Sequence, residues 1–206
     1  KLPKDVRPTN LTYDTSKCLW LSTTNGLVSY DLYSGSCHVY QSDPWDQFSL
    51  SDSYITEVYR DSRGCLWAGT QYGGLNCSSP AHSNFLKCYT LSDGTSLRGT
   101  IVRSFAEDKY GNLWVATERM GLLKYSDGIL VRHEADIPES VLALQDDDDC
   151  LWIGSQKGIS RMDYKTSKVR KYVPFDIENR DNRVVTIYKS HAGEIFVATT
   201  IGVMKY

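Results

Sequence analysis

Residues Asp61–Leu75 read DSRGCLWAGTQYGGL, and this stretch decides the fold. It opens on an acidic residue, with Gly64 three positions later, then a short apolar run carrying Trp67. Thr70 and a pair of glycines follow, and a second apolar run begins at Leu75. An Asp at the first turn position accepts a backbone N–H, and Gly three residues on supplies the positive φ of a three-residue hairpin with a bulge. The stretch therefore predicts a strand ending at Asp61, a tight turn, a second strand through Trp67, a loop and a third strand.

Outward from this stretch the same pattern recurs. The copies read CLWLSTTNGLVSY (18–30), CLWAGTQYGGLNC (65–77), NLWVATERMGLLKY (112–125), CLWIGSQKGISRM (150–162) and EIFVATTIGVMKY (194–206). Their aromatic anchors are Trp20, Trp67, Trp114, Trp152 and Phe196, at intervals of 47, 47, 38 and 44 residues. A period of that length with strand-like content is the mark of a β-propeller blade. Anchors that recur in register in every copy read as packing between neighbouring blades. In such a protein the shared residues build the scaffold, and residues that differ between copies are the candidates for function.

Each repeat divides into four strands. The first strands are 11–14, 55–61, 101–108, 141–146 and 184–190, and the second hold the anchors. The third begin at the loop glycines, and the fourth are 37–41, 85–90, 129–134 and 169–173. No helical periodicity interrupts them, which argues against βαβ units. The expected architecture is all-β: a propeller of four-stranded antiparallel blades. Five blades are expected, near 1–43, 44–91, 92–135, 136–175 and 176–206, the last without its outer strand. Closure as a five-bladed ring would need residues 1–8 as a strand, and two prolines make them a poor one. The preferred reading is a segment of a larger propeller, whose open strand edges favour pairing with a second copy.

Bulk composition excludes several classes. The 206 residues are 41% apolar and 23% charged with a net charge of −2, so there is no basic footprint for nucleic acid. No apolar stretch reaches membrane-spanning length. A start at Lys1 in place of Met reads as a mature or excised fragment. Cys18, Cys65 and Cys150 share one repeat position and so lie too far apart to bridge. Cys77 and Cys88 can sit on neighbouring strands, which leaves a disulfide there open. No CxxC pair marks a zinc site. His38, His82, His133 and His191 fall at unrelated repeat positions, and no nucleophile elbow, phosphate loop or HExxH motif occurs. Neither a catalytic residue nor a metal or cofactor is assigned. The run Asp146–Asp149 aligns with the Asp-x-x-Gly turns and reads as a solvent-facing turn in preference to a calcium site.

The better candidates for ligand contact lie in the loops between second and third strands and in the inter-blade loops, which emerge at one end of a propeller. They are Gln71, Tyr72, Arg119 and Lys157 from the former, and Trp45, Arg98 and Arg180 from the latter. Tyr72 and Trp45 can stack on a sugar ring, and the cations can hold carboxylate or sulfate groups.

The motif D-x-x-G-x-L-W-x-G-T-x-x-G-G-L, full at Asp61–Leu75 and repeated at Asp108–Leu122 with Ala116 for one glycine, is similar to the two-component regulator propeller repeat. That resemblance implies the periplasmic sensor region of a bacterial hybrid histidine kinase, built of seven-bladed propellers and responding to breakdown products of complex glycans. It implies an oligosaccharide ligand, further blades and a kinase module as partners, and no chemistry in this segment. The chain departs from the pattern at Asp149, in place of the turn glycine, and at Phe196, in place of Trp. Two other classes compete: a protein-interaction propeller without a small ligand, and the propeller lyases that open streptogramin antibiotics, which need a metal and a His base.

Overall fold

A computed structural model describes residues 7–14, 17–79, 84–172 and 182–206. The chain divides into two compact units, Lys1–Val102 and Arg103–Tyr206.

The first unit holds two four-stranded antiparallel sheets in sequence order. One comprises β1 (Pro8–Tyr13), β2 (Cys18–Thr23), β3 (Gly26–Asp31) and β4 (Cys37–Tyr40). The other comprises β5 (Ile55–Arg60), β6 (Leu66–Thr70), β7 (Leu75–Ser78) and β8 (Leu86–Cys88). A third sheet has β9 (Ile101–Glu107), β10 (Leu113–Glu118), β11 (Gly121–Ser126) and β12 (Ile129–Arg132). The fourth has β13 (Val141–Asp147), β14 (Cys150–Ser155), β15 (Gly158–Asp163) and β16 (Val169–Tyr172). The fifth has three strands, β17 (Val184–Lys189), β18 (Ile195–Thr199) and β19 (Val203–Lys205). Every strand pairs with its sequence neighbour and no helix occurs among the described residues, so the reading of an all-β protein made of meander blades holds.

The second strands explain the apolar runs. β6 is buried at all five positions and β14 at all six, because each is covered on both faces. In the first unit Trp20 and Tyr40 of the first sheet pack on Ile55, Val58, Leu66 and Ala68 of the second. In the second unit Trp114 packs on Leu144, Leu151 and Ile153, and Trp152 on Val184, Ile187 and Val197. Each of these anchors thus fills the space against the following sheet, as its recurrence predicts.

The anchors also have a polar role that spacing alone did not reveal. The indole Nε1 of Trp20 donates to Asp14 Oδ2 at 3.1 Å, that of Trp67 to Asp61 at 3.0 Å, that of Trp114 to Asp108 at 2.9 Å and that of Trp152 to Asp147 at 3.1 Å. The other carboxylate oxygen closes the turn. Asp61 Oδ1 accepts the N–H groups of Arg63 and Cys65, and Asp108 Oδ1 those of Tyr110 and Asn112. Asp14, Asp61 and Asp108 are each no more than 5% exposed, so these bonds replace the water the carboxylates lost. In the fifth sheet both partners change together. Phe196 has no N–H to give, and Ser190 keeps only the turn bond, accepting Glu194 N at 3.1 Å.

This bond corrects the alignment of the fourth turn. The reading from sequence ends the strand at Asp146 and puts Asp149 at the glycine position. In the structure β13 continues to Asp147, which pairs with Cys150, and the turn is one residue shorter. Asp148 takes the left-handed conformation at φ +54°, a role Asp fills at lower cost than most residues. A second feature hidden from the spacing is a bulge near the start of the inner strand, at Pro8/Asn10, Ile55/Glu57, Val141/Ala143 and Val184/Thr186. All six cysteines are free thiols; Cys77 and Cys88 do lie on adjacent strands, but unbridged.

The indole bond makes a prediction. Trp114→Phe removes one of the two donors to the buried Asp108 Oδ2, leaving Asn112 Nδ2 at 2.9 Å, and should cost roughly 1 kcal/mol beyond the lost packing. Adding Asp108→Ser, which copies the fifth sheet, should recover part of that loss. A double-mutant cycle by urea unfolding checks this; additive losses would show that indole and carboxylate are not coupled.

Candidate functional site

The loops joining second to third strands share one clamp. Thr23 Oγ1 donates to Gly26 O at 2.6 Å, Thr70 to Gly74 O at 2.9 Å and Thr117 to Gly121 O at 2.8 Å. Ser155 does so to Gly158 O at 3.0 Å and Thr199 to Gly202 O at 3.1 Å. The buried hydroxyl pins the loop base, so the two or three residues between are held outward and are free to vary.

In the first unit the loop at 71–73 is the most elaborated. Gln71 N donates to Tyr54 O at 3.0 Å, and Tyr72 N donates to Asp52 Oδ2 at 3.0 Å. Gly99 N donates to Tyr72 O at 2.8 Å. Gly73 is required here, since a Cβ would lie 2.9 Å from the Ser51 carbonyl carbon. Tyr72 is 63% exposed and Tyr54 39%, so two tyrosine rings project from one fixed backbone junction. Arg98 adjoins it, its guanidinium 4.3 Å from the centre of the Tyr89 ring. The structure therefore brings Gln71, Tyr72 and Arg98 to one junction and adds Asp52 and Tyr54, which sequence reasoning missed. The clue was local: Asp52 and Tyr54 immediately precede the strand that leads into the repeat motif.

Trp45 sits elsewhere. It is 95% exposed, and its loop is tied to the outer strand β8 side, where Phe85 N donates to Phe48 O and Lys87 Nζ to Asp46 O. In the second unit Arg119 is exposed with φ +88°, beside Glu118, whose Oε1 accepts Arg103 Nη2 at 2.6 Å. Lys157 is exposed on the fourth sheet's loop, its N–H donating to Ser155 Oγ at 3.2 Å. Arg180 and His82 lie outside the described residues.

Two ionisable groups have environments set by the scaffold. Burial pushes Glu57 up to about 7, although Asn10 Nδ2 donates to it and works the other way. Glu57 pairs with Gly69, next to the clamp residue Thr70, and its carboxylate meets Asn10 of the first sheet. The acidic run of the fourth sheet is neutralised by lysines on both sides. Lys189 Nζ lies 2.8 Å from Asp147 and 2.9 Å from Asp148, and Lys109 Nζ lies 2.5 Å from Asp149. Tyr164 donates to Asp146 at 2.7 Å. Among the described residues no group of His, Cys, Asp or Glu is arranged to hold a metal ion. Burial acts to raise Asp147, but the bonds from Lys189 and Trp152 outweigh it and leave its carboxyl below the usual range.

Comparison with known proteins agrees with the repeat motif. The family model described as the two component regulator propeller matches residues 49–72 and 96–119. No curated protein sequence matches the chain. Among solved structures, the extracellular domain of a protein described as the hybrid two component system BT3049 from B. thetaiotaomicron superposes with a TM-score of 0.80 at 21% identity. That of BT4673 from the same organism does so with 0.80 at 22%. Both likenesses cover 100% of this chain and 28% of the other, so the chain spans little more than a quarter of their length. The virginiamycin B lyase from Staphylococcus aureus gives 0.70 at 16% identity, over 97% of this chain and 69% of the lyase. At these identities the likenesses establish the propeller fold. No helix among the described residues is long and apolar enough to cross a membrane.

Both ionisable sites predict a pH dependence. The lowered Asp147 contributes stability that is present above the ordinary carboxylate value, about 4, and is lost as pH falls through its folded value. Lys189→Met should lower the melting temperature at neutral pH and much less in acid, so the two curves converge; parallel curves would refute the pairing. The raised Glu57 has the opposite sign: its contribution is fully present below about 4.5 and is lost as pH rises through about 7. Glu57→Gln should therefore raise the melting temperature at about pH 8 and leave it unchanged at about pH 4. An equal shift at both would show that burial does not hold the proton.

Proposed function

Taking the chain as a run of two-component regulator propeller repeats, we propose that it is an extracytoplasmic sensing segment of a hybrid two-component histidine kinase. It binds an oligosaccharide at the ends of its sheets that carry the loops between second and third strands. The segment performs no chemistry. It lies in the periplasm, and its partners are further blades of the propeller, a second copy and a kinase module.

The observation that carries this reading is the junction at Tyr54, Tyr72 and Arg98. Two exposed tyrosines on a backbone fixed by Asp52 and Gly99 supply rigid apolar faces with polar rims, the combination a pyranose ring needs. Arg98 and Gln71 add hydrogen-bond donors around those faces, and Arg119 and Lys157 are the corresponding loop candidates of the second unit. A ligand that also engages Trp45 would have to extend over the outer strand β8. The mechanism is differential affinity: ligand favours one arrangement of the sensor and shifts its population.

Titration calorimetry with a panel of neutral and acidic oligosaccharides tests the reading. At least one should bind, and Tyr72→Ala should weaken it roughly tenfold, equivalent to about 1.4 kcal/mol, while Tyr72→Phe should retain most of the affinity. A panel without a binder, or affinity indifferent to Tyr72, Tyr54 and Arg98, would overturn it.

A further inference from the structure

The anchor face of each sheet carries a short cross-strand ladder that starts at the aromatic anchor. In the first sheet Trp20 faces Ser29 and then His38. In the second Trp67 faces Cys77 and then Leu86, and in the third Trp114 faces Lys124 and then Val131. The fourth sheet alone among them places two cations in a row: Trp152 faces Arg161, which directly faces Arg170. A cation beside the anchor serves the scaffold, since Lys124 Nζ lies 5.4 Å from the Trp114 ring and Arg161 5.8 Å from that of Trp152. The second one does not. Like charges directly opposite on neighbouring strands destabilise a sheet, and the fold tolerates His, Leu or Val at this position.

The two arginines open onto a groove of about 410 Å³, also lined by Lys168, Tyr172, Asp149 and Asp163. That volume is within the range of small-ligand sites. Its two carboxylates are already engaged: Asp149 with Lys109, and Asp163 with the N–H groups of Lys165 and Thr166 and the Thr166 hydroxyl. Arg161 Nε donates to the Cys150 thiol at 2.9 Å, a weak acceptor that leaves the outer nitrogens of the guanidinium available. Tyr172, half-buried against Trp152, closes one side with an aromatic ring.

We propose that this groove is a second binding site, one for an oxyanion-bearing saccharide, with Arg161 and Arg170 jointly holding its carboxylate or sulfate and Tyr172 bordering its ring. The oxyanion follows from the groove itself; that a sugar carries it rests on the sensor reading. The site lies on the sheet face and is separate from the Tyr72 loop. Planar guanidinium forks suit the fixed geometry of such groups, and a bound anion removes the repulsion that the empty pair leaves standing.

Calorimetry and thermal shift at low ionic strength test the site on the chain as it stands. The probes are inorganic sulfate, a glucuronate-containing disaccharide, the same disaccharide sulfated, and a neutral disaccharide. At least one acidic disaccharide should bind and the neutral one should not bind here. Arg170→Gln should weaken that binding by about tenfold or more, and Arg161→Gln with Arg170→Gln should abolish it. Without ligand, Arg170→Gln should melt no lower than the parent, because it relieves a like-charge pair; that separates loss of a ligand contact from loss of fold. Acidic disaccharides that fail to bind, or bind the double variant equally, overturn the site. A response to sulfate alone overturns the saccharide assignment. Binding lost in Tyr72→Ala but kept in Arg170→Gln overturns this site and leaves the loop reading intact.

Discussion

A buried carboxylate that must be satisfied governs this architecture. Asp14, Asp61 and Asp108 are almost wholly shielded from water, and a charge in that position is tolerable only with several donors around it. The turn supplies backbone N–H groups to one oxygen and the indole supplies an N–H to the other. One side chain thereby fixes the hairpin, the orientation of the anchor and the surface the next sheet meets. Among the described residues the following sheet twice adds a cation: Arg60 Nη1 lies 2.7 Å from Asp14, and Lys189 Nζ lies 2.8 Å from Asp147. The fifth sheet obeys the same constraint by removing donor and acceptor together, since a half-kept pair is worse than none.

Because the constraint is met inside each sheet, the loops beyond it carry little structural duty. The Thr or Ser clamp ends the shared part of the repeat, and the loop residues after it can change in length and composition without disturbing the core. This is why Thr24-Asn25, Gln71-Tyr72-Gly73 and Glu118-Arg119-Met120 occupy equivalent places with unlike chemistry. Departures from the common pattern are therefore the positions to read for function. Tyr72 and Arg98 depart in the loops, and Arg161 with Arg170 departs on a sheet face where the other copies are neutral or singly charged.

The same logic disposes of the acidic run in the fourth sheet. Four aspartates in sequence invite a cation site, yet their neighbours in space are Lys109, Lys189, Trp152 and Tyr164. Lysines on the flanking sheets provide the positive charge, and the run functions as a turn that staples one sheet to the next. Nothing in the local sequence points to those lysines, which lie about one repeat away on either side.

Much of the fold was legible from the chain because it depends on local periodicities. The repeat length, the turn glycines and the apolar second strands fix meander blades, and they follow from strand sterics and turn chemistry acting over a few residues. The one-residue error at Asp146 arose because a two-residue and a three-residue turn both accept Asp in a left-handed conformation, so spacing could not choose between them. The links between residues across the repeat were decided only in three dimensions. The indole bond to Asp147, the meeting of Tyr54, Tyr72 and Arg98, the removal of Trp45 to an outer strand and the opposition of Arg161 to Arg170 all depend on strand register. Register sets which side chains share a face, and it is fixed by the packing of whole sheets.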